Sequence, residues 1–320
     1  MCQLSRPQVH LSGLPLALFL LLPLHAGIRG AALLAQPLPA ILTWGSELQS
    51  WPLTGGAPTT LLVKRDFGPG GCIADVDGDG RDDLLVQEHP GVSRFLWLKA
   101  PDWSPHVIEA ATDFTNCLPF TLAGKRGVLI QHLHSQVRFY LFPRFEYKEL
   151  YSIYTASQQG GLLAHDVDGD GLTDLFVGNY WMKNPGVLDV AWRIFAINLW
   201  HETPTAARAA LALWNHRSLV WAASADKDAR VAVFHPPPDV KQLWTEQRLA
   251  PLDQPRAILA HPQGIFIGHA AGVALESPAA GGRWRRTTIS RIPRIIQLIN
   301  WRDNVIAVSP EGIHWIYPLR

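Results

Sequence analysis

Three features of the sequence predict an all-β fold built from repeats: an evenly spaced proline, short apolar runs between turns, and few charged residues. Charged residues make up 17% of the 320 residues, below the roughly 25% of an average soluble domain. The 13 Trp and 25 Pro residues suit a compact protein rich in turns. The best candidate for an amphipathic helix, residues 203–214, occupies a repeat position that favours a turn leading into a strand.

Proline marks the repeat most clearly. Short apolar strands that end in proline recur at intervals of 42, 42, 51, 42 and 40 residues, at Pro101, Pro143, Pro185, Pro236, Pro278 and Pro318. Two short apolar strands separated by a turn precede each proline, and an aromatic residue and another β-like run follow it. A unit of about 40–45 residues with four strands is typical of a β-propeller blade.

The repeat predicts six blades of four strands. Inner strands begin near residues 71, 115, 159, 208, 254 and 294, and the last unit reaches only its third strand. The segment Pro58–Phe67 is therefore predicted to join the C-terminal blade as its fourth strand, which closes the ring and removes free sheet edges. On this interpretation residues 58–320 form the propeller and residues 33–57 an N-terminal extension. An array of β-sandwiches is the alternative architecture.

The N-terminus resembles a secretion signal over residues 1–32. Arg6 and His10 precede the apolar run Leu14–Leu24, and Gly30-Ala31-Ala32 offers a small-residue cleavage site. The run falls short of the ~20 apolar residues that span a bilayer, although an uncleaved anchor is the alternative. No second apolar run has spanning length. The sequence thus predicts a secreted or periplasmic protein with no membrane span in the mature chain.

Two of the three cysteines, Cys72 and Cys117, precede equivalent segments of adjacent repeats. Cys2 lies before the apolar run and is expected to leave with the signal peptide. In an oxidising compartment Cys72 and Cys117 would form one disulfide. Two buried free thiols are the alternative.

Residues 75–83 and 166–174 share the pattern D-x-D-G-D-G-x-x-D. We call them the first and second aspartate loops. Calcium takes 6–8 oxygen ligands, and four carboxylates this close together repel one another without a cation. Glycine at the sixth position permits the positive φ of a sharp turn. The predicted ligands are the carboxylates of Asp75, Asp77, Asp79, Asp83, Asp166, Asp168, Asp170 and Asp174, with the carbonyls of Arg81 and Leu172. Solvated acidic residues on a turn are the alternative.

An EF-hand begins in the same way, but it requires a glutamate at position 12 and helices on both sides. Position 12 is Val86 in the first loop and Val177 in the second, and each lies in a strand-like apolar run. The pattern therefore indicates calcium loops between β-strands.

Together with Phe67-Gly68, Gly70-Gly71 and the stretch Trp181–Gly186, the two loops resemble FG-GAP/VCBS repeats. Such repeats build propellers similar to the integrin α-subunit head and to many secreted bacterial proteins. The resemblance covers residues 58–320 by period but is specific only at the two loops. The corresponding segments 121–127, 214–218, 261–264 and 301–304 lack the acidic set. It implies a calcium-stabilised propeller and no particular partner.

No catalytic motif accompanies these loops. The sequence has neither a G-x-S-x-G elbow nor an H-E-x-x-H helix, and a net charge of +1 gives no argument for nucleic acid. His132, His134 and His165 could form a transition-metal site, but polar positions on blade rims explain them more simply. We therefore predict a non-enzymatic module that binds a protein or glycan. A polysaccharide lyase or hydrolase is the alternative, and a third hypothesis makes calcium purely structural.

Overall fold

A computed structural model describes residues 27–35, 38–89, 91–132, 136–152, 161–199, 209–223 and 227–317. These residues form 27 β-strands and one 3₁₀ turn, Ala280–Gly282. The strands make seven antiparallel sheets, and in each sheet the strands lie side by side in chain order. No helix among the described residues is long and apolar enough to cross a bilayer.

The strands of the first four sheets follow one another along residues 30–196. The first sheet contains β1 (Gly30–Leu34), β2 (Ala40–Trp44), β3 (Leu48–Pro52) and β4 (Thr59–Leu62). The second contains β5 (Phe67–Ala74), β6 (Asp83–Glu88), β7 (Arg94–Lys99) and β8 (Ser104–Ala110). The third contains β9 (Phe114–Leu122), β10 (Lys125–His132), β11 (Gln136–Leu141) and β12 (Tyr147–Ser152). The fourth contains β13 (Leu162–His165), β14 (Asp174–Val177), β15 (Tyr180–Lys183) and β16 (Arg193–Ala196).

The remaining three sheets occupy residues 209–317. The fifth contains β17 (Ala209–Trp214), β18 (Ser218–Ala223), β19 (Val231–His235) and β20 (Thr245–Arg248). The sixth contains β21 (Ala257–His261), β22 (Gly264–His269), β23 (Gly272–Pro278) and β24 (Trp284–Ser290). The seventh, as far as the described residues extend, contains β25 (Gln297–Trp301), β26 (Asn304–Ser309) and β27 (Gly312–Tyr317).

The first strand of every sheet contacts the first strand of the next, and β25 of the seventh sheet contacts β1 of the first. This closed circle of inner strands makes the molecule a seven-bladed β-propeller. The predicted fold class is confirmed, but the predicted number of blades, six, is wrong.

The additional blade comes from the segment that the sequence predicted to be an extension. Residues 33–57 supply the end of β1 and all of β2 and β3, and β4 within Pro58–Phe67 pairs with β3 of the same sheet. Pro52 ends an apolar strand 49 residues before Pro101, so the proline repeat extends one unit further towards the N-terminus than the prediction allowed.

The first and seventh blades meet through face-to-face packing. Ala31 and Ile41 of the first blade form one buried cluster with Ile299, Ile306 and Val308 of the seventh. Nearby, the backbone N–H of Ile28 donates to the carbonyl oxygen of Pro310 at 2.9 Å. These contacts complete the ring. Residues 1–26 lie outside the described residues, so the predicted signal peptide falls mostly there, whereas Gly30–Ala32 lie in β1.

The second strand of each blade lies at the centre of the core. In β6 every side chain is buried, and Leu84, Leu85 and Val86 are fully inaccessible to solvent. Three tryptophans that follow repeat prolines pack between blades: Trp103, Trp192 and Trp244 are buried. Aromatic side chains of this size contribute a large share of the apolar area removed from water.

A disulfide joins Cys72 on β5 to Cys117 on β9. It links the innermost strands of the second and third blades directly before the first aspartate loop. Of the two alternatives that the sequence left open, the structure therefore contains the disulfide.

The packing of the first blade predicts a clear stability effect. Ile41→Ala should lower the free energy of unfolding by about 2–4 kcal/mol, because it removes a fully buried side chain from the contact with the seventh blade. Leu38→Ala is the matched control, since Leu38 is 77% exposed in the same segment. Urea unfolding measures both. If both variants lost an equal and negligible amount of unfolding free energy, residues 33–57 would not be part of the folded ring.

Candidate metal centre

Both aspartate loops connect the first and second strands of a blade: β5 to β6 in the second blade and β13 to β14 in the fourth. Each turns at two glycines with positive φ. The angles are 81° and 84° at Gly78 and Gly80, and 76° and 85° at Gly169 and Gly171. Side chains other than glycine are strained at such angles. The repeated motif therefore folds into the same turn twice.

The first aspartate of each loop accepts hydrogen bonds from both of these glycines. The carboxylate of Asp75 accepts from the N–H groups of Gly78 at 2.7 Å and Gly80 at 3.1 Å. The carboxylate of Asp166 accepts from Gly169 at 2.9 Å and Gly171 at 3.0 Å. Because both oxygens are engaged, the backbone sets the orientation of this carboxylate in each loop.

The last aspartate of each loop is buried. Asp83 accepts from the N–H of Val76 at 3.2 Å and of Ala100 at 2.8 Å. Burial raises the pKa of the Asp83 carboxyl, although these two hydrogen bonds oppose the shift. Ala100 follows the third strand, β7, so this carboxylate ties the aspartate loop to the neighbouring inter-strand connection.

Asp174 repeats the arrangement in the fourth blade. It accepts from the N–H of Val167 at 3.0 Å and of Asn184 at 2.7 Å, and it is fully buried. Burial raises its pKa to about 6. The charged form of this carboxyl is thus less favourable than that of a solvent-exposed aspartate.

A lysine that the sequence analysis missed lies on the carboxylates of each loop. The ammonium group of Lys99 is 2.5 Å from Oδ2 of Asp77. That of Lys183 is 2.5 Å from Oδ2 of Asp170 and also contacts Asp168. Hydrogen bonds from these lysines lower the pKa of Asp77 and Asp170. The sequence contains a signal for these two lysines. Only in the two blades with aspartate loops does the third strand end in a lysine that is followed by x-Pro.

The structure brings three of the four predicted carboxylates of each loop together. Asp75, Asp77 and Asp79 each place an oxygen within 4.8 Å of the others, and so do Asp166, Asp168 and Asp174. Asp83 and Asp170 lie outside these two groups. Arg81 and Leu172 lie in the turns, where their N–H groups donate to Asp79 and Asp170 at 2.9 Å.

The chemistry of the two groups fits a hard cation such as Ca²⁺. Their donors are carboxylate oxygens only, the ligand type that Ca²⁺ prefers. In the second loop Oδ1 of Asp168 is buried and has no hydrogen-bond partner. A buried oxygen of this kind costs free energy unless something pairs with it, and a bound cation would do so.

The histidines do not extend these groups. His132 lies on β10 and His165 on β13, in different blades, and His134 lies outside the described residues. Within the described part of the chain, the clusters of three or more metal-binding side chains are the two acidic ones.

A cavity of about 290 Å³ opens beside the second aspartate loop. One wall is the loop segment His165–Gly169, and the facing wall comes from the fifth blade through His216, Arg217, Pro236–Pro238 and Trp244. Burial lowers the pKa of His165, while the charge of Asp166 opposes the shift. The cavity thus combines an apolar wall with charged groups of both signs, and the loop shapes one of its sides.

Comparison with known proteins identifies the fold but shows no closer relationship. Neither a protein-family model nor a curated protein matches the sequence. Among solved structures, the extracellular domain of BT4673 from B. thetaiotaomicron is similar, with a TM-score of 0.59 and 11% identity. The match covers 91% of this chain and 38% of that one, so this chain spans about two fifths of its length.

Two further solved structures are similar over most of both chains. YCF48 bound to D1 peptide matches with a TM-score of 0.59 and 12% identity, covering 93% of this chain and 94% of that one. BamB from Moraxella catarrhalis matches with a TM-score of 0.51 and 14% identity, covering 92% and 84%. At these identities the likeness establishes the β-propeller fold alone.

The buried Asp174 predicts a pH dependence in calcium-free buffer. Its pKa is about 6 in the folded protein and 3.8 in the unfolded chain, so between these values the folded state alone holds the proton. The contribution of Asp174 to the free energy of unfolding should therefore fall by about 2 kcal/mol as pH rises from 4 to 7. The difference between wild type and Asp174→Asn isolates this contribution from the buried histidines, whose lowered pKa values change stability in the opposite direction. Urea unfolding with EGTA measures the trend, and an NMR titration of the Asp174 carboxyl locates the midpoint. A midpoint near 4 would contradict the prediction.

Proposed function

We propose that this protein is an exported, non-enzymatic propeller that binds a protein or glycan, with Ca²⁺ ordering the two aspartate loops. The observation that carries the proposal is the convergence of three carboxylates on each glycine turn. The loops also resemble those of FG-GAP/VCBS repeats. The ligands in the second loop would be Asp166, Asp168 and Asp174, with Asp75, Asp77 and Asp79 in the first.

Bound calcium would supply positive charge where the chain itself provides one lysine for each loop and, at the first loop, Arg126, whose guanidinium group is 4.0 Å from Oδ2 of Asp75. Two of the carboxylates in the second loop are largely removed from water, since the side chain of Asp168 is 15% exposed and Asp174 is fully buried. Carboxylates brought together in this way repel one another unless a cation balances them. A divalent ion would therefore stabilise the turn and the wall that the loop contributes to the neighbouring cavity.

The cavity beside the second loop is the proposed place where a ligand contacts the ordered loop. Pockets between structural units, with a few polar groups set in an apolar lining, are common binding sites. Here Arg217, His165 and the loop carboxylates offer polar contacts, and Trp244 with Pro236–Pro238 offers apolar ones. Two solved propellers similar in fold support a binding role, since one is an extracellular domain and another holds a peptide.

Export is supported by two independent features of the chain. The apolar run Leu14–Leu24 follows basic residues at the N-terminus. The disulfide between Cys72 and Cys117 is typical of proteins that fold in an oxidising compartment. A signal-peptide cleavage that leaves β1 whole would fall before Gly30.

Calcium should raise the melting temperature of the purified protein relative to EGTA, because a ligand that binds only the folded state stabilises it. Asp77→Ala and Asp168→Ala should each reduce the rise. Asp189→Ala is the matched control, since Asp189 is an exposed aspartate that pairs with Lys148 away from both groups. Thermal melts with and without millimolar calcium make the comparison. No calcium-dependent shift in the wild type would show that the loops are turns that work without metal.

Lys183→Met should strengthen calcium binding at the second loop by about fivefold, equivalent to ~1 kcal/mol. The ammonium group of Lys183 lies on Asp168 and Asp170, so it competes with a cation for the same oxygens. Isothermal titration calorimetry of wild type and variant measures the difference. Lys148→Met, which removes a lysine remote from the loops, serves as the control. Weaker binding in Lys183→Met would mean that the lysine supports the site instead.

A further inference from the structure

A run of arginines begins at the outer strand of the sixth blade and ends in the first turn of the seventh. Between Glu276 and Asp303 the chain contains no acidic residue, but it contains Arg283, Arg285, Arg286, Arg291, Arg294 and Arg302. The protein as a whole has a net charge of only +1. Positive charge is therefore concentrated on one part of a nearly neutral molecule.

The structure separates arginines that stabilise the blade from arginines that face solvent. Arg286 is held by Glu276 and donates to the carbonyl oxygen of Pro251 at 2.8 Å. Arg294 pairs with Glu311. The side chains of Arg283, Arg285 and Arg291 are exposed and form no hydrogen bond or ion pair with any described residue. These three side chains make up what we call the arginine edge.

The register of β24 explains why the arginine edge points outward. Trp284 and Arg286 face the fifth blade, where the indole N–H of Trp284 donates to Gln247 at 3.0 Å. Side chains alternate along a strand, so Arg285 and Thr287 lie on the opposite face of β24, and both are exposed. Arg285 lies on β24, the last strand of its sheet, and Arg283 and Arg291 lie directly beyond its two ends. The strand between them, from Trp284 to Ser290, is about 20 Å long.

We propose that the arginine edge of the sixth blade binds an acidic polysaccharide, through the carboxylate or sulfate groups along the glycan. Guanidinium groups form paired hydrogen bonds with such oxyanions. A linear row of cations matches a linear polyanion. The exposed hydroxyl group of Thr287 lies on the same face of β24 as Arg285 and can bond to sugar hydroxyls.

The same surface fits other polyanions less well. Residues 280–302 expose no large apolar side chain, and Trp315, which is 49% exposed on the contacting strand β27, does not by itself make an apolar face that could enter a bilayer. The ring of Trp284 packs on Trp214 at 5.5 Å between centroids, so it does not offer a face to a nucleobase. The disulfide also places folding in an oxidising compartment. The inference rests on the proposed function only in taking the protein to be a binding module, since it uses neither calcium nor the cavity.

The test compares two double charge reversals that change the net charge equally. Arg285→Glu/Arg291→Glu alters the arginine edge. Arg144→Glu/Arg193→Glu is the matched control, because both are exposed arginines on other blades. Arg193 follows the buried Trp192 on the outer strand of the fourth blade, just as Arg285 follows Trp284. The probe is a size-fractionated heparin oligosaccharide, with neutral dextran as the uncharged control, and all buffers contain EGTA.

The purified wild type should bind heparin and not dextran, with an affinity that falls as salt increases. Reversal at the arginine edge should weaken heparin binding about tenfold or more, and the control reversal less than about threefold. Equal weakening in both variants, or no binding by the wild type at low salt, would overturn the inference. The inference would also be overturned if the wild type bound phosphatidylglycerol vesicles or duplex DNA more tightly than heparin and the edge variant abolished that binding.

Arg285→Gln/Arg291→Gln provides a second variant if the reversal fails to fold, which circular dichroism and thermal melts report. This variant should also bind heparin more weakly than the wild type, by a smaller factor than the charge reversal. Because the assay excludes calcium, its failure leaves the calcium proposal standing. A missing calcium shift in the melts would likewise leave the arginine edge unaffected.

Discussion

The structure depends on the packing of each sheet, face to face, against its two neighbours. The second strand of a blade lies where both faces are covered, which is why β6 is buried at every position. A strand buried on both faces reads as a continuous apolar run, as in the Leu84–Val86 segment. No blade can cover both of its faces alone, so each gains stability only within a closed ring. The first blade packs on the face of the seventh blade that the sixth leaves uncovered.

Much of the fold was predictable because repeat length and apolar runs are local properties of the sequence. The number of blades was not, because the partner of a strand is a property of the folded ring. Pro58–Phe67 has the composition of an outer strand, and that composition suits pairing with β3 or with β27 equally well. The observed pairing of Thr59 and Thr60 with β3 places it in the first blade. Pro52 marks the repeat that the prediction missed, but no tryptophan follows it as one follows Pro101, Pro185, Pro236 and Pro278.

The aspartate loops were predictable for the same reason, since nine consecutive residues contain the whole pattern. The lysines were not. Lys99 comes 16 residues after Asp83, whereas Lys183 comes only nine after Asp174. The β6–β7 hairpin is longer than the β14–β15 hairpin. Only the pairing of the second and third strands in each blade brings the lysine to its aspartate loop. The two loops also differ in which three carboxylates converge, a difference that identical spacing could not reveal.

The contact between Ile28 and Pro310 joins segments separated by nearly the entire described chain. A nascent polypeptide that emerged slowly into a folding environment would complete the first blade early and leave one of its apolar faces bare until the seventh blade arrived. Transiently exposed surfaces of this kind promote aggregation. If the chain crossed a membrane in an extended form and folded only after all seven blades had crossed, that apolar face would not be left bare. Closure of the ring therefore requires both ends of the described chain to be available together.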